Sequence, residues 1–367
     1  MPCYHPNIIY MDTSKSPGKM LDFLPGNKKD EPLNYEYYEE LNRYYSKKGI
    51  MKEYLKVPCG KCIGCKEAKS KQWATRCSLE SEQWEQNWFI TLTYNEEYVP
   101  RDDELINKKT GEVFYNDNWE QGHLVKEEVI TFLKDLREKW RHDYGHTNIR
   151  FFLCGEYGTA TEGTHRPHYH IIAFNLPIPT WELTVRKIDG DGNTHWTCGP
   201  IERCWEDKRL AKKNIHVPKG FVDICEVNWD TCAYVARYTL KKEGENKTDE
   251  WYYENGRTPE FINMSRKPGI GMGFFTKNFQ NIYKNDEIII KGHRQKIQPV
   301  KPPSYYDKQF DLIDHISLLE IKNKRKRIAK ALAKNANMQT SLPEWERLRN
   351  EEQLKKCKMN TLARNKV

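Results

Sequence analysis

Two apolar runs joined by a short Gly- and Thr-rich loop constrain this chain most: RFFLCGEY (Arg150–Tyr157) and HYHIIAFN (His168–Asn175). Apolar runs rich in β-branched and aromatic residues between turn formers read as strands, and so brief a connection predicts an antiparallel pair. A strand turns successive side chains to opposite faces, so His168 and His170 point one way while Tyr169 and Ile171 point the other. Two imidazoles so placed have the geometry of metal ligands; the competing reading is a pair of ordinary polar groups at a sheet edge. Glu156, on the neighbouring strand, could complete the set. Two imidazoles and one carboxylate suit Mg²⁺ or Mn²⁺ with positions left for water and a phosphate. Glu162 and His165, on the connecting loop, are rival ligands.

The elements around this pair follow from periodicity. Lys66–Glu85 has few helix breakers and reads as a helix, and WFITLTY predicts a strand over Phe89–Tyr94. Asn95–Gly122 is a polar excursion. Leu124–His142 carries Val125, Val129, Phe132, Leu136 and Trp140 at steps of three and four, the stripe of an amphipathic helix, with Gly145 as its stop. Pro177–Pro218 reads as an insertion with a hairpin around DGDGN (Asp189–Asn193). That run opens like a calcium loop, but Thr194 stands where the sixth-position glycine belongs and Pro200 where the glutamate belongs, which excludes calcium there. Val222–Val227 predicts a strand, and Asp230 could cap a helix through TCAYVARYTLKK. This order suits an α+β fold, an antiparallel sheet with helices packed on one face. The first 55 residues show little periodicity and read as an irregular arm.

Tyr234 and Tyr238 lie one turn apart on that last helix, and Lys241 continues their face. On pattern alone such a pair is more often core than catalytic. CGKCIGC supplies Cys59, Cys62 and Cys65; structural zinc takes four ligands, and Cys3, Cys77 and His5 are candidates for the fourth. A bacterial iron–sulfur run would continue to Cys-Pro, whereas this one runs into KEAKSK. In MSRKPGIGMGFF, Arg266 and Lys267 beside a Pro-Gly turn suit either phosphate contact or a tight structural loop.

Charge is uneven. The chain's net +8 resides in its end: from Glu320 onward fourteen Lys and Arg face five Glu, leaving the rest near neutral. LLEIKNKRKRIAKALAK, with Lys324, Arg325, Lys326 and Arg327, reads as a basic helix that could hold a polyanion or simply present a solvated face. No apolar run approaches the roughly 18 residues of a membrane helix, and the N-terminus lacks a signal-peptide pattern.

VPCGKCIGC, SKQWATRC, FITLTYNEEYVP, CGEYG, RPHYHIIAF, AYVARYTLKK and MSRKPGIG, in this order from Val57 to about Phe275, resemble the HUH endonucleases that start rolling-circle DNA replication. The two-tyrosine class is the nearer match, and within it the replication initiators of microviruses, gokushovirus branch. The resemblance implies a palm on a β-α-β-β-α-β antiparallel sheet, residues 86–285 with an insertion at 177–220. It also implies an N-terminal Cys-cluster arm (1–85) and a basic, mostly helical C-terminal region (286–367). Mg²⁺ or Mn²⁺ is expected on His168, His170 and Glu156, with Tyr234 and Tyr238 as nucleophiles and Lys241 near the phosphate. Zn²⁺ is expected on Cys59, Cys62, Cys65 and Cys3, the early cysteine that the resemblance favours. Expected partners are single-stranded origin and replicative-form DNA and a host helicase and polymerase, in the bacterial cytoplasm and without a membrane. A plasmid initiator or relaxase would reuse the same parts, and a zinc-stapled DNA-binding protein without catalysis is the competing class.

Overall fold

A computed structural model describes residues 3–14, 19–24, 35–49, 52–116, 122–158, 166–190, 192–241, 249–293 and 296–364, without the side chains of 19, 24, 35–39, 42, 52–54, 238–241, 337 and 359–364. The chain divides into two compact units, Met1–Lys69 with Lys322–Val367, and Ser70–Ile321. The first opens with β1 (Asn7–Asp12), β2 (Lys19–Leu24), α1 (Tyr35–Lys47) and β3 (Lys52–Val57). These strands form an antiparallel sheet in the order β2-β1-β3. Ile8 and Tyr10 alternate inward against Tyr45 of α1, with Leu21 and Leu41 beside them. The first 55 residues are therefore not an irregular arm. Each strand offers only about three inward positions, and β1 meets β3 some forty residues later, so no local window carries the period.

α2 (Ile63–Ser81) follows. Then come β4 (Asn87–Thr93), the small hairpin β5 (Glu104–Ile106) and β6 (Val113–Tyr115), α3 (Lys126–Tyr144), β7 (Arg150–Tyr157) and β8 (Pro167–Phe174). The former insertion supplies β9 (Leu183–Ile188), β10 (Thr194–Cys198) and two single turns, α4 (Gly199–Glu202) and α5 (Lys208–Ala211), before β11 (Val222–Glu226), α6 (Trp229–Lys241), α7 (Asp249–Glu254) and β12 (Phe261–Met264). The main sheet has seven strands in the order β12-β7-β8-β4-β11-β10-β9, each pairing antiparallel. The hairpin predicted around Asp189–Asn193 is thus an extension of the sheet.

Helices cover both faces of this sheet, which corrects the expectation of one. Val129, Phe132, Leu133, Leu136 and Trp140 of α3 pack with Ile90, Leu153 and Ile171. Cys77 of α2 and Cys232 and Val235 of α6 pack with Phe89, Phe152, Ile172 and Phe174 on the other face. All eight residues of β7 are buried. Strands covered on both sides read as near-continuous apolar runs rather than alternations, the signature that RFFLC and HIIAF carry. Gly145 ends α3 as expected, in the left-handed region at φ 65° with its N–H on the Trp140 carbonyl.

One buried ion pair fixes the arginine–lysine turn to the sheet. Arg150 Nε donates to Glu80 Oε1 at 2.6 Å and its guanidinium to the Pro268 carbonyl at 2.7 Å, while the Gly271 N–H donates to Glu80 Oε2 at 2.6 Å. Both ionic side chains are nearly inaccessible, 7% and 3% exposed. Removing one partner of such a pair strands a buried charge. Arg150→Ala is therefore expected to cost about 3–5 kcal/mol, read as a lowered urea midpoint, whereas an apolar replacement of both residues is expected to restore most of the loss.

α8 (Met272–Asn285), the hairpin β13 (Ile288–Lys291) and β14 (Ile297–Val300), and α9 (Ser304–Asp311) precede α10 (His315–Met338) and α11 (Glu344–Arg364). Within the first unit α11 is held to the N-terminal segment: buried Glu352 accepts from His5 at 2.8 Å, Lys355 donates to Glu67 at 3.1 Å, and Lys56 pairs with Glu344. Among the described residues no helix is long and apolar enough to cross a membrane.

Candidate functional site

The register of β7 against β8 places Glu156 opposite His168 and Cys154 opposite His170, so the carboxylate and both imidazoles share the sheet face that α6 covers. Glu156 Oε1 lies 3.0 Å from His168 Nε2 and 2.9 Å from His170 Nε2. Burial alone would raise the Glu156 carboxyl, but hydrogen bonds from the two imidazoles outweigh it and hold the group well below the usual carboxylate range. It is an anion throughout the neutral range. His168 Nδ1 donates to the Arg166 carbonyl at 3.0 Å, and His170 Nδ1 meets Thr91 Oγ1 at 3.0 Å. A carbonyl can only accept, so the Nδ1 of His168 carries a proton, and its contact with Glu156 needs either a second ring proton on Nε2 or a cation in that proton's place. Electron-rich atoms so close require a proton or a cation between them. Three ligands of this kind fit Mg²⁺ or Mn²⁺ with positions to spare.

α6 brings a phenol to the same point. Its first turn is fastened by a reciprocal pair, the Thr231 N–H on Asn228 Oδ1 and the Asn228 N–H on Thr231 Oγ1, each at 2.9 Å. The cap is therefore Asn228, not Asp230, whose carboxylate pairs with His293 at 2.8 Å. Tyr234 Oη lies 3.4 Å from both Glu156 Oε1 and His170 Nε2, its ring edge-on to the His170 ring with centroids 5.0 Å apart. Phe89 stacks on His170 at 5.4 Å and 12°, and the Arg237 guanidinium sits 5.2 Å from the Tyr234 ring centroid. Tyr238 and Lys241 lie on α6, but their side chains are outside the described residues, as are the rival ligands Glu162 and His165. Thr91, Phe89 and Arg237 were missed in the sequence. Thr91 could have been found: in FITLTY it is the polar residue two places from Phe89, hence on the same strand face.

The cysteines form a second centre. Cys3, Cys59, Cys62 and Cys65 bring their sulfurs within 4.8 Å of one another, with Cys62–Cys3 at 3.8 Å and Cys59–Cys65 at 4.0 Å. A tetrahedron with metal–sulfur bonds of about 2.3 Å has edges of about 3.8 Å, so the spacing fits zinc and is far too long for a disulfide. Backbone N–H groups of Tyr4, Cys59 and Cys62 donate to the sulfurs of Cys62, Cys3 and Cys59. Hydrogen bonds from Cys3 and Cys59 push the Cys62 thiol below its ordinary value, while those with Cys59 and Cys62 push the Cys3 thiol above its own. The rival ligands are elsewhere engaged, Cys77 in the core of the main sheet and His5 on Glu352.

Of the basic residues, Arg266 and Lys267 are exposed, whereas the glycine end of their motif is buried structure: Gly271, at φ 79°, gives its N–H to Glu80 and its carbonyl to Tyr306 Oη. Lys324 and Arg327 on α10 are exposed, and Arg325 and Lys326 half-buried.

Residues 87–243 match the family model for "Replication-associated protein ORF2/G2P". The chain is similar to "Replication-associated protein ORF2" of Spiroplasma virus 4, 34% identical over 309 residues that cover 83% of each chain. It is also similar to "Replication-associated protein VP4" of Bdellovibrio phage phiMH2K, 26% identical over 267 residues, 71% of this chain and 70% of the relative. "Replication-associated protein ORF4" of Chlamydia phage 1 is 23% identical over 240 residues, 65% of this chain and half of the relative. No solved structure matches.

Proposed function

Since this chain belongs to the replication-associated proteins of phages, as an initiator of the gokushovirus type, we propose that it starts rolling-circle replication by nicking single-stranded origin DNA through a tyrosine and later rejoining the strand. The observation that carries this reading is the convergence of Tyr234 Oη, His170 Nε2 and Glu156 Oε1 within 3.4 Å. The strands β4, β7, β8 and β11 with α3 and α6 serve as an HUH palm. His168, His170 and Glu156 hold Mg²⁺ or Mn²⁺, which when bound supplies a Lewis acid that offsets charge on the scissile phosphate.

A phenol, with a pKa near 10, is a poor nucleophile in neutral water, so its position must compensate. Tyr234 or Tyr238 attacks the phosphorus in line. The new bond joins the phenolic oxygen to phosphorus, the bond to the 3′-oxygen breaks, and that oxygen takes up a proton to become the primer's 3′-OH. The products are a 5′-phosphotyrosine and a free 3′ end. Reversal by a second 3′-OH reseals the strand without ATP, because the ester retains the bond energy. The second tyrosine, one turn away, cuts the regenerated origin while the first still holds the old end. Lys241 stands by the phosphate. Arg266 and Lys267 contact the DNA backbone, as do Lys324, Arg325, Lys326 and Arg327, and Zn²⁺ on Cys3, Cys59, Cys62 and Cys65 fastens the N-terminal segment. Residues 1–85, 86–285 and 286–367 divide the work among Cys-cluster region, endonuclease and basic helical region. The protein works in the bacterial cytoplasm with a host helicase and polymerase.

A 5′-labelled origin oligonucleotide incubated with the protein and Mn²⁺ tests this directly. Cleaved product together with a protein–DNA adduct is expected; binding without either would reduce the chain to a nucleic-acid-binding protein. Cys59→Ser with Cys62→Ser is expected to release one zinc per chain and to lower the unfolding temperature, checked by metal analysis and calorimetry.

A further inference from the structure

Beyond these centres, one ring nitrogen of His195, one carboxylate oxygen of Asp223 and Sγ of Cys225 lie within 4.8 Å of one another. We propose that these three side chains bind a borderline transition cation, Zn²⁺ foremost, which staples the β9–β10 hairpin to β11. His195 and Cys225 are directly opposed in the β10–β11 ladder, and Asp223, two residues before Cys225, shares its face. The three donors thus come from two paired strands with no loop to reorganise.

Donor chemistry selects the ion. Oxygens alone would suit Mg²⁺ or Ca²⁺, whereas a sulfur and an imidazole nitrogen beside a carboxylate suit zinc. His195 Nδ1 is 2.6 Å from Asp223 Oδ2, and its Nε2 is 3.4 Å from Asp189 Oδ2. Both carboxylates accept from the ring, and the shorter contact places a proton on Nδ1 in the metal-free chain. A cation would take the place of that Nδ1 proton, which moves to Nε2, where the outer bond to Asp189 is the usual support of a ligating histidine. Asn193 steadies Asp189 through its N–H at 2.8 Å and its side-chain amide at 2.9 Å. Asp223 Oδ1 is buried and accepts no hydrogen bond among the described residues, with the Arg186 guanidinium 3.6 Å away. As the metal binds, the Cys225 thiol proton leaves to water. Cys225, Asp223 and Asp189 then carry three negative charges against one positive on Arg186, and a divalent ion balances the remainder.

The hairpin has use for such a staple, because among the described residues β10 meets β11 through two paired positions, His195–Cys225 and Trp196–Ile224. Thr91 pairs with both Asp223 and His170, so the staple steadies the strand next to the one that supports His170.

The test is zinc per chain, by plasma mass spectrometry on the full-length protein after stripping, reloading with Zn²⁺ and removal of excess. His195→Ala and Cys225→Ser are each expected to lose one equivalent relative to the unaltered chain, in addition to any lost by Cys59→Ser with Cys62→Ser. Unchanged zinc in both variants would overturn the proposal. Cys225 is buried and its replacement could unfold the chain, so Asp189→Asn, in the turn, provides a second reading. It is expected to loosen one zinc about 10- to 100-fold in chelator competition with the circular dichroism unchanged, and an unaltered affinity would count equally against the site.

Discussion

Replacing both phenols of α6, Tyr234→Phe with Tyr238→Phe, is expected to abolish the covalent protein–DNA adduct, a loss of roughly 10⁴-fold or more in the rate of its formation, the scale on which losing a nucleophile acts. Each single change is expected to retain cutting, since the remaining phenol stands one turn along the same helix. Phenylalanine keeps the Tyr234 ring where it packs edge-on to Phe89 and His170, and the contacts of the phenolic oxygen to Glu156 and His170 are long, 3.4 Å. Loss of activity would therefore report chemistry rather than unfolding. Gel detection of the adduct on a labelled origin strand checks the point, and a double variant that still forms it would remove both tyrosines from the mechanism.

The second large effect is expected at the imidazoles. His168→Ala should lower Mn²⁺-dependent cleavage by about 10²- to 10⁴-fold, because the Lewis acid held at such a centre contributes several kcal/mol. DNA binding should persist and remain steeply salt-dependent, since the phosphate neutralisation proposed for the basic helix would not involve His168. His168 is 16% exposed, hydrogen-bonds Glu156 and the Arg166 carbonyl, packs edge-on against the His170 ring and belongs to none of the hydrophobic cores of the described residues, so its removal is expected to leave those cores in place. Equal loss of cleavage and binding in a filter assay across a salt series would instead assign it a folding role.

What the sequence made legible were the features with local periods. The α3 stripe, the β7 and β8 strands and the Gly145 stop all lie within single windows, and the His168–Glu156 pairing follows once two short strands must run antiparallel. What escaped depended on distant partners. β1 and β3 meet across an intervening helix, and the second face of the main sheet is covered by α2, which precedes β4, and α6, which follows β11. Thr91, which orients His170, reveals its part only through the β4–β8 register. The His195 and Cys225 pair is likewise a product of register, set by two strands separated by more than twenty residues.

The most direct measurement is mass spectrometry of the tryptic peptide that retains nucleotide after nicking. Trypsin cuts after Lys219, Arg237 and Lys241, so Tyr234 and Tyr238 fall in different peptides, 220–237 and 238–241. Nucleotide mass is expected on one or both of these peptides and on no other. A phosphodiester mapped to any other residue, with cleavage intact, would contradict the assignment of the nucleophile to α6.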